Sequence, residues 1–263
     1  MRLSRFSALL GALALTAALP LGGCSEEPQN GGGDAGTDAG VGDLEAYFSL
    51  QKGRCFEYTL LDSRQATADL GVAVEEIDMN QFAQAAPQGT HVVRYRQGFP
   101  KMTDYVSFTA EGELKLHKRE YFGGKSFIYK PAVTLMRAPA KGNDTLTTGE
   151  KVDVRDSQGN VIAQGESYTR RYDTLDATEL RLPIGETVSA YRYIYDETWG
   201  SQAALERPET RAFVPGDGDR SKPHGFVTIE YNFENDETQP KKVYRLQNVR
   251  ELVQGGDPCG SSL

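Results

Sequence analysis

Short runs of alternating apolar and polar residues recur along most of this chain, and they constrain its fold more than any other feature. The best-defined run is Phe226–Phe233, rich in β-branched and aromatic residues, and Val243–Leu246 follows it after a turn through residues 235–238. Such alternation is typical of an antiparallel sheet with one solvated face. Two alternating runs joined by a short turn predict a β-hairpin.

The same pattern predicts two further hairpins and several more strands. One hairpin joins the run Tyr105–Phe108 to the run Leu114–Leu116, and the other joins Val152–Arg155 to Val161–Ala163. Further strands are expected at Arg54–Leu61, Val92–Tyr95, Phe127–Met136, Ser167–Leu175, Thr187–Tyr195 and Glu209–Val214.

Helix signals are scarce in comparison. Leu70–Phe82 has partial helical spacing, and Glu197–Leu205 could form one short helix before Pro208. Ten or more strands predict an all-β domain built on a large curved antiparallel sheet, a sandwich or a partial barrel, with few short helices. The turn-rich break at residues 138–143 leaves open whether this domain is one unit or two similar halves.

The first 23 residues have the three-part layout of a secretory signal peptide. Arg2 and Arg5 give a positive start, and an apolar run follows from Phe6 to Leu21. This run is shorter than the roughly 20 residues that a membrane-spanning helix needs. The small residues at 22 and 23 suit cleavage by a signal peptidase, so we expect residues 1–23 to be removed.

The stretch Leu21-Gly22-Gly23-Cys24 resembles the lipobox of bacterial lipoproteins, which usually has Ala or Ser where Gly22 stands. The resemblance implies a diacylglyceryl group on Cys24 and a new N-terminus acylated by a chain such as palmitate. Several acyl chains, each contributing about 0.8 kcal/mol per buried CH₂ group, make a stable anchor. Ser25 follows the cysteine, and the sorting rule of Gram-negative envelopes then favours the outer membrane.

Residues 24–43 are rich in glycine and aspartate, and Val41 is their one sizeable apolar residue. Such a segment cannot bury enough surface to offset its ordering entropy, so we expect a flexible tether before the folded part, residues 44–263. Without residues 1–23 the chain has 27 basic and 37 acidic residues, a net charge of −10. This acidity and the lack of a Lys/Arg cluster argue against nucleic-acid binding.

The remaining cysteines predict a disulfide. With Cys24 assigned to the lipid, Cys55 and Cys259 form an even pair in an oxidising compartment. A bridge between them would join the C-terminal tail to the first strand. Two free thiols or a catalytic thiol are the alternatives.

Two short stretches resemble bacterial envelope β proteins of the TapB-like kind. Tyr47–Tyr58 is similar to their opening motif Tyr-Phe-Pro-Leu-x-x-Gly-x-x-Trp-x-Tyr, with Ser49 in place of the proline and Phe56 in place of the tryptophan. Phe213–Gly218 is similar to their later Ala-Pro-Gly-Val-Gly, with Asp217 where valine is usual. The resemblance implies an antiparallel β fold in an exported protein, and it implies no catalytic residue.

Candidate catalytic and metal-binding groups are few. The three histidines, His91, His117 and His224, do not pair at a metal-ligand spacing, and zinc requires three or four ligands. Asp217–Asp219 is interpreted as an exposed turn rather than a calcium site. No Gly-x-Ser-x-Gly motif is present, and the acidic residues are too numerous to single out a catalytic pair. The sequence predicts no cofactor, no metal and no enzymatic activity.

The candidate ligand contacts are aromatic. Tyr191, Tyr193 and Tyr195 alternate along one predicted strand, and Trp199 follows closely. Tyrosines on one face of a strand can stack on a sugar or a peptide, or they can form part of the core. Both interpretations remain open at the level of the sequence.

These features together predict a lipid-anchored lipoprotein of the cell envelope whose β domain is a non-catalytic binding or scaffold module. Its partners would be the membrane, through the N-terminal lipid, and an envelope protein, a glycan or a lipid. One alternative is a carrier that shields a lipid or other apolar ligand in a concave apolar pocket. A second is a carboxylate-dependent hydrolase with a perturbed Asp/Glu pair. The oligomeric state is left open.

Overall fold

The structure is a computed structural model that describes residues 44–61, 70–76, 91–96, 102–200, 202–203, 209–216, 222–231, 242–251 and 259. All of them belong to one compact unit, Ala39–Leu263. The predicted signal peptide (residues 1–23), the lipidation site Cys24 and the tether (residues 24–43) lie outside the described residues. None of the helices in the described ranges is long and apolar enough to cross a membrane.

The described residues form one short helix and fourteen strands. Their bounds are α1 Leu44–Phe48, β1 Arg54–Leu60, β2 Leu70–Glu76, β3 His91–Arg96, β4 Met102–Phe108, β5 Glu113–Tyr121, β6 Ser126–Arg137, β7 Thr145–Thr148, β8 Lys151–Arg155, β9 Val161–Arg181, β10 Thr187–Trp199, β11 Gln202–Ala203, β12 Glu209–Val214, β13 Gly225–Tyr231 and β14 Lys242–Glu251.

These strands form a single antiparallel sheet. Its order is β11-β10-β12-β13-β14-β1-β2-β3-β4-β5-β6-β8-β9-β7. β9 also pairs with β10, from Tyr168 opposite Trp199 to Arg181 opposite Thr187. Because β9 and β10 lie near opposite ends of that order, this ladder makes the sheet curve back on itself. The prediction of an all-β fold with a large curved antiparallel sheet is confirmed.

The three predicted hairpins are present as β4–β5, β8–β9 and β13–β14. The strand at Glu209–Val214 has its predicted bounds. The predicted strand Ser167–Leu175 is only the middle of β9, which is 21 residues long. The predicted strand Val161–Ala163 is the beginning of the same β9. The segments 164–166 and 176–181 were not predicted, because they are mostly exposed and show no alternation.

Both helix signals were wrong where the structure describes them. Leu70–Glu76 is strand β2, which pairs with β1 and β3. Glu197–Trp199 and Gln202–Ala203 are also strands. Cross-strand pairing and β-branched content outweigh a partial helical spacing in such short segments.

The helix α1 packs against the strand β12. The rings of Phe48 and Phe213 lie 5.9 Å apart between centroids, and those of Phe48 and Phe108 lie 5.4 Å apart. The Gly216 N–H donates a hydrogen bond to the Tyr47 carbonyl over 2.9 Å. The two sequence stretches that carry the family resemblance therefore contact each other.

A disulfide joins the first strand to the C-terminal region. Cys55 on β1 and Cys259 are bonded, with their Cα atoms 5.1 Å apart, and both residues are buried. The bridge spans a sequence separation of 204 residues. The predicted pairing is confirmed.

The contact between α1 and residue 216 can be tested with Gly216→Ala. A Cβ at this position would lie 2.1 Å from the Ala46 carbonyl oxygen, so α1 would have to move. We expect the free energy of unfolding to fall by about 2 kcal/mol, a typical cost of overpacking. Urea denaturation of the purified protein measures this change.

The matched control is Gly124→Ala in the β5–β6 turn. There the nearest heavy atom would be the Tyr121 Cβ at 3.3 Å, which requires only a small adjustment. We expect a change below about 1 kcal/mol. If Gly216→Ala were as stable as the natural protein, α1 would not pack against this segment.

Candidate functional site

Six charged side chains from five strands meet inside the curved sheet. Five of the side chains are at most 5% exposed, and that of Glu197 is 11% exposed. Charged residues are almost never buried to this extent unless they are paired. We call this set the ion cluster, and its members are Asp104, Arg119, Arg170, Glu197, Glu209 and Arg211.

Strand alternation turns most of these side chains inward. Asp104 lies between Met102 and Val106, which are both buried in the core from β4. Arg170 follows the buried Tyr168 by two positions on β9. Since residues two apart on a strand share a face, each of these charged side chains points the same way as the apolar ones.

Arg119 reaches the interior through an irregularity in β5. Leu114 and Leu116 lie on the buried face of this strand, and strict alternation would place Lys118 there next. The register of β5 against β6 shifts between Leu116 and Lys118. An extra residue in one strand changes which side of the sheet the later side chains point to. The next buried side chain is therefore that of Arg119 and not that of Lys118.

Arg119 joins two parts of the sheet that are not neighbours. Its Nε and Nη2 donate to the two carboxylate oxygens of Asp104 on β4, over 2.6 and 2.8 Å. Its Nη1 lies 3.5 Å from Glu209 Oε2 on β12. Because β5 and β12 do not pair, this contact crosses the interior from one part of the curved sheet to another.

The other two arginines complete the cluster. Arg211 pairs with Glu209 on its own strand and approaches Asp104 at 3.8 Å. Arg170 pairs with Glu197 on β10 and approaches Glu209 at 3.8 Å. Three formal positive charges thus face three formal negative ones, and each carboxylate has an arginine within 4 Å.

The arginines determine the ionisation of Glu209. Burial alone would raise the pKa of its carboxyl group, but the charges of Arg211, Arg119 and Arg170 lower the pKa from 4.5 to about 2. Burial likewise opposes the charge of Arg119, and the Asp104 carboxylate nevertheless raises the pKa of that guanidinium well above its ordinary value. The charges of Glu209 and Arg119 are therefore stabilised by their partners.

Aromatic rings lie against the ion cluster. The guanidinium carbon of Arg170 is 4.3 Å from the centre of the Tyr195 ring, and that of Arg211 is 4.7 Å from the Phe226 ring. Such cation–π contacts contribute about 2 kcal/mol where both groups are desolvated. Burial raises the pKa of Tyr195 to about 12, so its hydroxyl stays protonated and donates to the Leu135 carbonyl over 3.1 Å.

The four predicted ligand contacts all lie on β10. Tyr193 and Tyr195 are buried, with stacked rings whose centroids are 6.3 Å apart, and the Tyr172 ring meets that of Tyr193 edge-on at 5.3 Å. Tyr191 and Trp199 are partly buried against the same core. Core packing accounts for the positions of Tyr193 and Tyr195, and ligand contact by any of the four stays a prediction.

Trp199 occupies the end of β10. Its ring packs edge-on against Phe127 at 5.8 Å, and the Lys125 Nζ lies 5.3 Å from the ring centre. Protein side chains thus contact this tryptophan from two neighbouring segments, the strand β6 and the turn before it.

A small apolar cavity lies beside α1. The space open to the centre of a water molecule is about 10 Å³. This is about the volume that one water requires, so an acyl chain does not fit there. The cavity gives no support to the carrier alternative, which stays a prediction. Its lining residues are Phe48, Leu50, Phe56, Tyr58, Val93, Phe226 and Ile229.

Within the described ranges, no group of three or more His, Cys, Asp or Glu residues is placed to hold a metal ion. The turn at Asp217–Asp219 lies outside those ranges. His117 Nε2 is 2.7 Å from Ser107 Oγ, and burial, with Lys115 nearby, lowers the pKa of the imidazole. Because Ser107 is buried, this pair is not an accessible nucleophile with its base.

The sequence analysis did not identify the ion cluster, although a signal for it was present. Asp104, Arg170 and Glu209 occupy positions of the β pattern that alternate with polar residues and share a face with apolar ones. A charged residue that shares one side of a strand with apolar residues indicates that its charge is buried. Which of these faces meet in space depends on the curvature of the sheet, which local alternation does not encode.

Comparison of the chain with protein-family models, with curated proteins and with solved structures finds no match. The role of the ion cluster is therefore inferred from its chemistry. A carboxyl group with a pKa near 2 remains ionised and cannot donate a proton near neutral pH. Carboxylates held between guanidinium groups suit a clamp between strands better than acid–base catalysis.

The clamp can be tested with Glu209→Gln. The substitution leaves three buried arginines with two carboxylates, and an uncompensated buried charge costs about 3 kcal/mol or more. We expect the free energy of unfolding at neutral pH to fall by about that amount in urea denaturation. Glu179→Gln, on an exposed part of β9, is the matched control and should change little.

The same residue gives the pH dependence a definite sign. The pKa of Glu209 is lower in the folded protein than its ordinary value, so ionised Glu209 stabilises the fold above pH 4.5. This stabilisation is lost as the pH falls from 4.5 to about 2. The free energy of unfolding, measured across this pH window, should fall more steeply for the natural protein than for Glu209→Gln. An equal fall for both proteins would contradict this assignment.

Proposed function

We propose that this chain is a lipid-anchored lipoprotein of the cell envelope, held at the outer membrane, whose β domain is a non-catalytic binding or scaffold module. The anchor is inferred from the apolar leader, the Leu21–Cys24 stretch and the tether that follows. Ser25 after the cysteine favours the outer membrane. The disulfide between Cys55 and Cys259 agrees with export, because such bonds persist in oxidising compartments.

The ion cluster is the observation that carries the non-catalytic part of the proposal. Its carboxylates are buried and paired with arginines, and the low pKa of Glu209 is the reverse of what a general acid requires. The interior around the cluster is filled by aromatic side chains that contact one another. Binding through the outer surface fits this arrangement better than chemistry in the interior.

The anchor can be tested with Cys24→Ser in the full chain, produced in a Gram-negative host. We expect the natural chain to incorporate a labelled palmitate analogue and to enter the detergent phase on phase separation. Cys24→Ser removes the acceptor thiol, so both properties should be lost. Ser7→Ala, in the leader, is the control and should be labelled like the natural chain. Equal labelling of Cys24→Ser would contradict the anchor.

The membrane assignment can be tested at the next residue. Because the sorting rule depends on the residue after the lipidated cysteine, Ser25→Asp should keep the protein in the inner membrane. Ser25→Ala should leave it in the outer membrane. Density fractionation of the two membranes measures the distribution, and an unchanged distribution for Ser25→Asp would contradict outer-membrane sorting in that host.

A further inference from the structure

The described strands do not cover both sides of β9 along its whole length, and its first residues are open on one side. Along Val161–Ser167 it pairs with β8 on one side. Along Tyr168–Arg181 it pairs with β10 on the other side. Within the described part of the chain, the side of β9 that β10 occupies is therefore open over residues 161–166. We call this segment the open edge.

The open edge arises because β10 turns away. The last contact on this side is the hydrogen bond from the Gly200 N–H to the Ser167 carbonyl, over 2.8 Å. Gly200 has a φ of +61°, which suits a glycine in a tight turn. The chain then continues as β11, which pairs with β10 through Thr198 and Trp199. The same two residues pair with β9 on the other side of β10, so β11 does not return to the open edge.

The side chains of the open edge are exposed and partly apolar. Val161 is 55% exposed and Ile162 is 48% exposed, and both are β-branched. Gln164 and Glu166 are exposed as well. A strand that presents unpaired backbone groups and exposed β-branched side chains is a template for a further strand. The Gly165 N–H is not one of these open groups, because it donates to Asp153 Oδ1 on β8 over 2.9 Å, where the β8–β9 register shifts.

A third exposed apolar residue lies at the same end of the sheet. Glu120, Ser126, Arg155 and Val161 are aligned in one row across β5, β6, β8 and β9. Phe122 follows this row at the tip of the β5–β6 turn, and it is 83% exposed. Three strand spacings of about 4.8 Å separate β5 from β9. Phe122 therefore lies at the same end of the sheet as the open edge but several strands away from it.

We propose that the open edge binds an extended, non-acidic peptide segment of another protein, which pairs antiparallel with residues 161–166 in line with β10. Backbone hydrogen bonds provide the affinity in such strand addition, and alternate side chains provide the specificity. The six residues span about 20 Å, so a segment of six to eight residues fills the edge. Apolar side chains of the segment cover Val161 and Ile162.

The charge of the chain favours another protein over a second copy. The formal net charge is −8, so two copies repel each other, and an acidic peptide is repelled in the same way. A neutral or basic segment meets no such barrier. This inference rests on the proposed binding role and specifies its surface and partner, but it does not depend on the lipid anchor.

The test selects binders from a phage-displayed library of random twelve-residue peptides on the immobilised full chain in detergent. The strongest binder is then synthesised, and its affinity is measured by fluorescence anisotropy. We expect the selected peptides to be neutral or basic and to contain apolar residues. We expect Ile162→Lys to weaken binding at least tenfold, because a lysine on the edge would lose its hydration when the peptide covers it.

Two controls separate strand addition from other binding. Leu175→Lys changes an apolar residue of β9 that is 41% exposed but lies where β10 already pairs, so the affinity should stay within twofold. In the peptide, N-methylation of alternate residues should weaken binding at least tenfold for one set of positions and much less for the other. This difference arises because only one set of N–H groups faces the partner strand.

Several results would overturn the proposal. The library would yield no binder, or Ile162→Lys would keep the affinity within twofold, or both N-methylated peptides would bind equally well. A dimer of the full chain that Ile162→Lys dissociates would assign the edge to a second copy. A peptide that binds elsewhere would overturn the open edge and leave the binding role intact, whereas failed lipid labelling would overturn only the anchor.

Discussion

The rest of this structure depends on charge neutrality inside the curved sheet. Three arginines and three carboxylates are buried together, and removing ions from water costs several kcal/mol each unless partners compensate for the loss. The contact between Arg119 and Glu209 joins strands that share no ladder, so the two parts of the sheet must approach closely for either charge to be stable. A buried ion pair adds little net stability, but it penalises every arrangement that separates its members.

This constraint also limits where function can lie. The aromatic rings of β9, β10 and β13 fill the space beside the cluster, and two of them lie over its guanidinium groups. An interior occupied in this way leaves the outer surface and the strand edges for partners. β10 pairs with β9 only from Tyr168 onward, so the described strands leave one side of residues 161–166 uncovered. The proposed binding role therefore relies on this edge and not on the interior.

Local features of the fold could be predicted from the sequence, and its long-range features could not. Glu209–Val214, the three hairpins and the pairing of Cys55 with Cys259 follow from alternation, turn residues and cysteine count. The inward turn of Arg119 depends on an irregularity between β5 and β6 that leaves no mark in the residue pattern. The meeting of Arg119 with Glu209 depends on how far the sheet curves. Tyr193 and Tyr195 fit both a core and a binding face, because tyrosine is suited to either environment.

A double-mutant cycle between Arg119 and Glu209 tests the central claim most directly. Free energies of unfolding would be measured for Arg119→Met, for Glu209→Gln, for the double variant and for the natural protein. If the two side chains form one buried network, each single variant leaves an uncompensated charge and the double variant restores the balance. The account predicts a coupling energy of about 2 kcal/mol or more. Additivity within about 0.5 kcal/mol would contradict it, because independent residues behave in that way.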